Sequence, residues 1–420
     1  MRSITFPRPH FKWGKPTGNQ TRTLKKYIDE GGDMSIYGDS GIYEQLENWL
    51  CEYYDVNYTI LTNTGTSALN SAYVGIGVQR GDEVIVPTYT FLATVTPLLR
   101  IGAVPVFADA DPLTGNVSPE DIERKITDKT KAVAVTHMWG VACDMEKIMT
   151  IANKHNLKVV EDCSHAHFTR YKGKLLGTYG HVACFSIGAK KTLTSGEGGF
   201  LITDDPEIYV RSNLLGHFEV RAEDAIDRLK EEGFQDLHDR YAGYHTGFGE
   251  NYRMHPYSAV MSHALVSSGE IFDLIKKRSE SLRYFTEQLD KVRFVSAPVL
   301  HEGYFDGAMY GYKGKVHQEK LNIPVKDAVG MLKELNMEIK LPDSEPLHRK
   351  PLFNHLQDLG ISYDRPAVSE GQYPGAEEYF DGRISLPTFS QGIGLDRPLI
   401  DEYIALLLDF EKEYGLNNRP

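Results

Sequence analysis

The sequence is poor in the features that staple a chain, span a membrane or bind polyanions. It holds four cysteines in 420 residues, Cys51, Cys143, Cys163 and Cys184, far apart and with no CxxC pair. Neither a disulfide framework nor a zinc-site spacing is written into it, and free thiols in a reducing compartment are expected. No apolar run approaches the roughly 20 residues that cross a bilayer. The opening MRSITFPRPHFKWGKP has no apolar h-region, so no secretory leader is expected and the chain reads as cytoplasmic, with no membrane partner. Positive charge is also short: 46 Lys and Arg stand against 58 Asp and Glu, a net −12. Such a surface repels phosphodiester backbones, which argues against a nucleic-acid partner. There is no low-complexity tract and no internal repeat. The length exceeds one ordinary domain and suits a large domain with a smaller one.

What the chain does have is a rhythm. Short β-branched runs recur: YTILTN (58–63), EVIVPT (83–88), VPVFAD (104–109), AVAVTH (132–137), KVVEDC (158–163), ACFSIG (183–188) and FLITDD (200–205). Most are apolar without alternation, as strands buried on both faces are. Helical stretches such as TSALNSAYVGI and DMEKIMTIANKHN lie between several of them. Strand and helix in turn predict an α/β fold with a mostly parallel sheet. Ahead of the sheet, IYEQLENWLCEYYDV sets Ile42, Leu46, Trp49, Leu50 and Tyr53 on one helical face. After it, RLKEEGFQDLHDRYAGYHTGFGENYRMHP is polar and aromatic, an ordered excursion near an active site. A long helical pattern from about Ser258 to about Leu289 leads into a second domain. That domain has strand-like FVSAPV and MEIKLP and a final helix, RPLIDEYIALLLDFEKEYG. The expected division is 1–257, the N-terminal segment and large domain, and 258–420, a linking helix and small α/β domain.

In open α/β sheets, ligands collect at the carboxyl ends of the strands. The first run is followed by NTGTSAL, where Gly65 permits a tight turn and Thr66 and Ser67 offer hydroxyls and N–H groups at a helix start. That is a phosphate cradle or a plain helix cap. TYTF follows the second run and offers an aromatic that could stack on a planar ring, or serve as core. KVVED ends on Asp162, an acid that burial makes costly unless it meets a cation or hydrogen-bond donors. The histidines of CSHAH suggest a metal at first sight, but no further ligand cluster accompanies them, and a hydrogen-bonding His165 near a ligand is the better reading. ACFSIG precedes the pair Lys190 and Lys191, and GEGG follows, a turn that lets backbone approach a ligand. A phosphate cradle, an aromatic plate, a buried acid and a lysine are together what pyridoxal 5′-phosphate needs. The phosphate is anchored, the ring stacks, the acid keeps the pyridine nitrogen protonated and the lysine forms a Schiff base with the aldehyde.

These segments resemble the DegT/DnrJ/StrS aminotransferases, sugar aminotransferases of pyridoxal-phosphate fold type I. The likeness runs through GTSAL, GDEVIVPTYTFLAT, VFADADPLTGNVSPEDIE, HMWGVACDM, VVEDCSHAH, FSIGAKKTLTSGEGG, GENYRM and EPLHRKPLF, nearly the whole chain. It implies a large, mostly parallel seven-stranded sheet domain and a smaller C-terminal α/β domain. In this family the Schiff-base lysine stands five residues after the serine of the FS element, which makes it Lys191, with Lys190 a neighbour. The resemblance assigns Ser186 to the phosphate, Asp162 to the pyridine nitrogen, Phe91 to ring stacking, and Gly65 with Thr66 to the phosphate turn. Asn251 matches a position that reaches the phosphate of the neighbouring subunit's cofactor, which implies a homodimer with shared active sites. Two departures stand out: His165 where many members carry Gln, and a longer segment from Gly216 to Phe248.

The activity so implied is transfer of an amino group from a donor, glutamate by preference, to a keto sugar or ketocyclitol in secondary-metabolite or surface-glycan biosynthesis. A second reading keeps the cofactor but dehydrates or aromatises a ring substrate, as aminohydroxybenzoate synthases do. Lys191 disfavours the dehydratase variety, which has His there. A third, a non-catalytic ligand-binding member of the fold, sits badly with an intact Lys191 and Asp162.

Overall fold

The computed structural model describes residues 4, 16–38, 40–300, 309–361, 368–389 and 395–416. Apart from Ile4 and Pro16, the opening stretch read for a leader lies outside them. All seven runs become strands of one sheet: β1 (Tyr58–Thr62), β2 (Glu83–Pro87), β3 (Val104–Ala108), β4 (Thr130–Thr136), β5 (Lys158–Asp162), β6 (Val182–Ser186) and β7 (Gly199–Thr203). Their order is β1-β7-β6-β5-β4-β2-β3. Six run one way, and β7 runs against both its neighbours. Every residue of β1 and β7 is buried, as strands covered on both faces must be. Among the described residues no helix is long and apolar enough to cross a membrane.

Three ties position the ends of this sheet. The Thr64 hydroxyl caps helix α1 (Gly65–Gly75), accepting the Ser67 N–H at 3.0 Å. A Cβ on Gly65 would stand 2.6 Å from the Ser186 Cβ, and one on Gly199 would stand 2.5 Å from the Gly65 nitrogen. Only glycine lets the start of α1 sit this tightly against the ends of β6 and β7, so the last glycine of GEGG serves the packing of the cradle. Gln20, on the N-terminal helix Gly18–Asp29, donates its amide to the Thr194 carbonyl at 3.0 Å and the Met261 carbonyl at 3.2 Å. The N-terminal helix thereby holds the loop that follows the lysine pair.

The helix Ile42–Tyr54 turns a different face inward from the one expected. Tyr43, Leu46, Glu47, Leu50 and Tyr54 are buried, while Trp49 and Tyr53 stack with Phe272 at the margin of the core. Glu47 draws the face round, because its carboxylate accepts the Leu61 N–H at 2.9 Å and the Arg221 guanidinium at 2.6 Å. The polar excursion takes in the last turn of the helix Val220–Glu231 and the whole of the helix Gln235–Tyr241. The long helical pattern is two helices, Pro256–Ser267 and Glu270–Leu289. Gly269 separates them at φ 74°, where L residues are strained.

The second sheet is antiparallel, with β8 (Val295–Ser296), β9 (Tyr312–Val316) and β10 (Arg383–Leu386) in that order. FVSAPV supplies only two strand residues, and MEIKLP supplies none, only a bridge between Lys340 and Ser385. Two of the quoted segments fasten this part to the rim of the large sheet. In EPLHRKPLF, the Leu347 N–H donates to the Thr88 carbonyl at 2.7 Å. In VFADADP, the Asp109 carboxylate accepts the Gly375 and Ala376 N–H groups, both at 2.9 Å, where the helix Pro374–Asp381 begins. A negative charge there meets both unpaired donors and the positive end of the helix.

Candidate active site

The carboxyl ends of the large sheet and the face of the second sheet enclose a cavity of about 640 Å³. Gly65, Thr66, Phe91, Asp162, His165, Ser186 and Lys191, seven of the nine residues picked out from the sequence, line it.

Asp162 closes β5 and is buried. One carboxylate oxygen accepts the Thr94 hydroxyl at 2.8 Å and the other the Ser164 N–H at 3.1 Å. Thr94 belongs to a trio of hydroxyls, with Thr90 2.8 Å from both Thr94 and Thr136. Its neighbour Glu161 points to the opposite face, as strand geometry requires. There it is within 4.8 Å of His137 and Cys163 in a set of ligand-type atoms. Hydrogen bonds already engage two of its members, Glu161 and His137. Glu161 accepts N–H groups from Gly177 at 2.9 Å and Gly180 at 2.6 Å and bonds His137 Nε2 at 3.1 Å. His137 Nδ1 accepts the Cys143 N–H at 3.1 Å, so the ring donates from Nε2.

The two lysines differ by burial. Lys190 is exposed at the cavity wall, whereas Lys191 is partly buried. Burial pushes the Lys191 amine down to about 8, against an opposing attraction from Asp162. Its Nζ stands 4.7 Å from the centre of the Tyr310 ring. Tyr310 stacks on His165 with ring centres 4.1 Å apart and planes at 11°, and the Trp139 ring lies near parallel to both, 5.5 Å from His165 and 6.2 Å from Tyr310. His165 Nδ1 accepts the Trp139 N–H at 3.3 Å, which assigns its own proton to Nε2. Burial first, and then the charges of Lys191 and Lys313, hold this imidazole well below its ordinary range and therefore neutral. Trp139 itself has φ 59°, a left-handed conformation unusual for a bulky residue.

At the start of α1, Ser67 N–H is taken by Thr64, and among the described residues the N–H groups of Gly65 and Thr66 donate to no acceptor. Those two donors, the Thr66 side chain and the nearby Ser186 form a concave, anion-accepting corner. Phe91 lies at the mouth, 57 % exposed. Ser67 does not line the cavity; its hydroxyl donates to Asn63 Oδ1 at 2.6 Å. Nor does Asn251, which is exposed, its carbonyl accepting the Asn63 amide at 3.1 Å. Sequence reading missed Thr64, Thr94, Trp139, Tyr310 and Lys313, all near the site. HMWG lies in one of the quoted segments, but nothing in it announced that its ring would meet Tyr310 and Lys313.

The family model of the DegT/DnrJ/EryC1/StrS aminotransferases matches residues 25–393. The chain belongs to this family. The GDP-perosamine synthase of Vibrio cholerae is 30 % identical over 368 residues, 85 % of this chain and 92 % of that one. A putative L-glutamine:3-amino-2,3-dideoxy-scyllo-inosose aminotransferase of Micromonospora echinospora is 33 % identical over 222 residues, 53 % of each chain. Among solved structures, the aminotransferase from Psychrobacter cryohalolentis superposes with a TM-score of 0.78 at 26 % identity, covering 97 % of this chain and 99 % of that one. The family member described here is thus a transaminase of the fold-type-I class, and its cofactor is pyridoxal 5′-phosphate. The cavity fits that group. Gly65 keeps open an anion corner that a Cβ would close, and a fixed buried carboxylate and a lysine whose amine burial depresses line the same cavity.

Proposed function

We propose that this transaminase moves an amino group from an amino-acid donor, glutamate by preference, to a keto sugar or ketocyclitol. The observation that carries the reading is the shared cavity of Lys191 and Asp162, one an amine depressed by burial and the other a carboxylate locked by Thr94 and Ser164. The relatives named for perosamine and for an amino-inosose support the acceptor class. When bound, the pyridinium ring supplies the electron sink that amino-group exchange depends on. Asp162 keeps the proton on the ring nitrogen. Gly65, Thr66 and Ser186 bind the phosphate, while Phe91 and His165 hold the ring plane. Neutral His165 adds a hydrogen-bond donor there without adding charge. Lys191 Nζ takes the proton from the donor's Cα and, in the second half, returns one to the acceptor carbon that gains the amine.

The same reading makes the molecule a homodimer in the cytoplasm, with residues 1–257 carrying the cofactor and 258–420 closing over the substrate. Asn251 then completes the phosphate site of the neighbouring copy. Its exposure beside the cradle, outside its own cavity, supports that role. An isologous interface exchanges such contacts reciprocally.

The test combines glutamate with a panel of keto sugars and ketocyclitols and weighs the products. A mass showing carbonyl replaced by amine, with 2-oxoglutarate released, is the expected result. A dehydrated or aromatised product would overturn the reading. For assembly, inactive Lys191→Ala and Asn251→Ala subunits are mixed and allowed to exchange. Recovered activity is expected, since one site of each hybrid carries neither lesion; no recovery after proven exchange would refute the shared site.

A further inference from the structure

The cavity holds a second buried amine. Lys313 lies on β9, 3 % exposed, and lines the same space as Lys191. Its Nζ donates to the Ser385 hydroxyl at 2.5 Å and sits 3.6 Å from the centre of the Trp139 ring. Among the described residues it makes no ion pair. Asp343 attracts it from a distance, but that carboxylate is engaged by Lys340 at 2.5 Å. An ammonium has three donors and Ser385 takes one. A ring face offsets part of the charge, though less than a carboxylate would. A buried cation in this state is unfavourable unless something negative arrives. Its amine is accordingly pushed down to about 7, chiefly by burial.

We propose that Lys313 seats a carboxylate of the amino donor. The inference rests on the transaminase reading above and extends it by naming a donor-selecting residue. Donor and acceptor take turns in one cavity, and of the two only an amino-acid donor always carries a carboxylate, whereas a keto ring is neutral. The almost complete burial of Lys313 suits a compact anion. A nucleotide diphosphate, bulky and strongly hydrated, belongs nearer the solvent-exposed mouth at Phe91. Lysine here is a point charge with freely turning donors, and the Trp139 ring and Ser385 fix where that charge stands.

The experiment measures glutarate binding to the cofactor-loaded protein by calorimetry, with inorganic pyrophosphate as the competing anion. Lys313→Met is expected to weaken glutarate at least about tenfold, the scale of one lost charge-assisted hydrogen bond. Lys313→Arg should recover part of the loss, and pyrophosphate affinity should not follow Lys313. In turnover, the loss should fall on KM for glutamate more than on kcat. Lys313→Gln, which can still meet Ser385, serves if the Met variant does not fold. Equal glutarate affinity in parent and variant, a parent that binds no glutarate, or a loss confined to pyrophosphate would each overturn the assignment. The two readings fail separately. A parent that transfers amino groups with Lys313 irrelevant to glutarate loses only this inference; one that binds glutarate through Lys313 but transfers no amine loses the transaminase reading.

Discussion

Glu161 and Asp162 are adjacent on β5 and both are buried, yet they live in different chemistry. On Glu161's face, two backbone N–H groups and a neutral histidine take up the carboxylate within the protein's own fabric. On Asp162's face, one hydroxyl and one N–H fix the group and a cavity lies in front of it. Burial alone therefore does not mark a working acid. What marks it is spare hydrogen-bonding capacity aimed at open space. The lysine pair repeats the contrast, with Lys190 in solvent and Lys191 depressed to about 8 in the site.

The largest expected effect separates the lysines. Lys191→Ala should cost about 10⁴-fold or more in turnover, since nucleophile and base are lost together. Lys190→Ala should keep most of it. Borohydride fixation followed by peptide mapping gives the same answer chemically, and a cofactor fixed on Lys190 would reverse the assignment. Next come the acids. Asp162→Asn should lose about two orders of magnitude in rate, near 3 kcal/mol of barrier, with the denaturant midpoint nearly unchanged. Glu161→Gln should do the opposite, losing about 1–3 kcal/mol of stability as a buried N–H goes unmet while the folded protein still turns over. Similar outcomes for both acids in both assays would dissolve the distinction. The smallest effect is on pH. A protonated amine cannot attack an aldehyde, so cofactor uptake by stripped protein should speed up as pH rises through about 8 and then level off. A rate still climbing towards the ordinary lysine value of 10.5 would show that burial does not depress Lys191.

The same logic explains what the sequence could reveal. The seven strands of the large sheet were legible because burial on both faces leaves uninterrupted apolar runs. Gly65 and Asp162 stand out at such strand ends, whereas the choice of Lys191 over Lys190 and the phosphate role of Ser186 come from the family resemblance. The second sheet hides itself. Its central strand β9 reads YKGKV, two lysines about a glycine, with no apolar signature. Gly314 is there because a Cβ would meet Leu386 at 2.8 Å, and Lys313 is buried because Trp139 and Ser385 receive it. Both reasons come from residues far away in the chain. The helix break at Gly269 was missed because apolar spacing continues on both sides of it, and the extra turn of conformation costs a glycine nothing.

The amide of Gln20 ties the start of the described chain to the carbonyl of Thr194, three residues beyond Lys191. A protein trimmed to begin after Asp29 would retain every residue of the cavity and most of the family match. It would nevertheless lose the clasp on the loop that aims the lysine. Such a shortened protein should still take up cofactor but release it faster, making the N-terminal helix a retention device for the prosthetic group although it touches none of the chemistry.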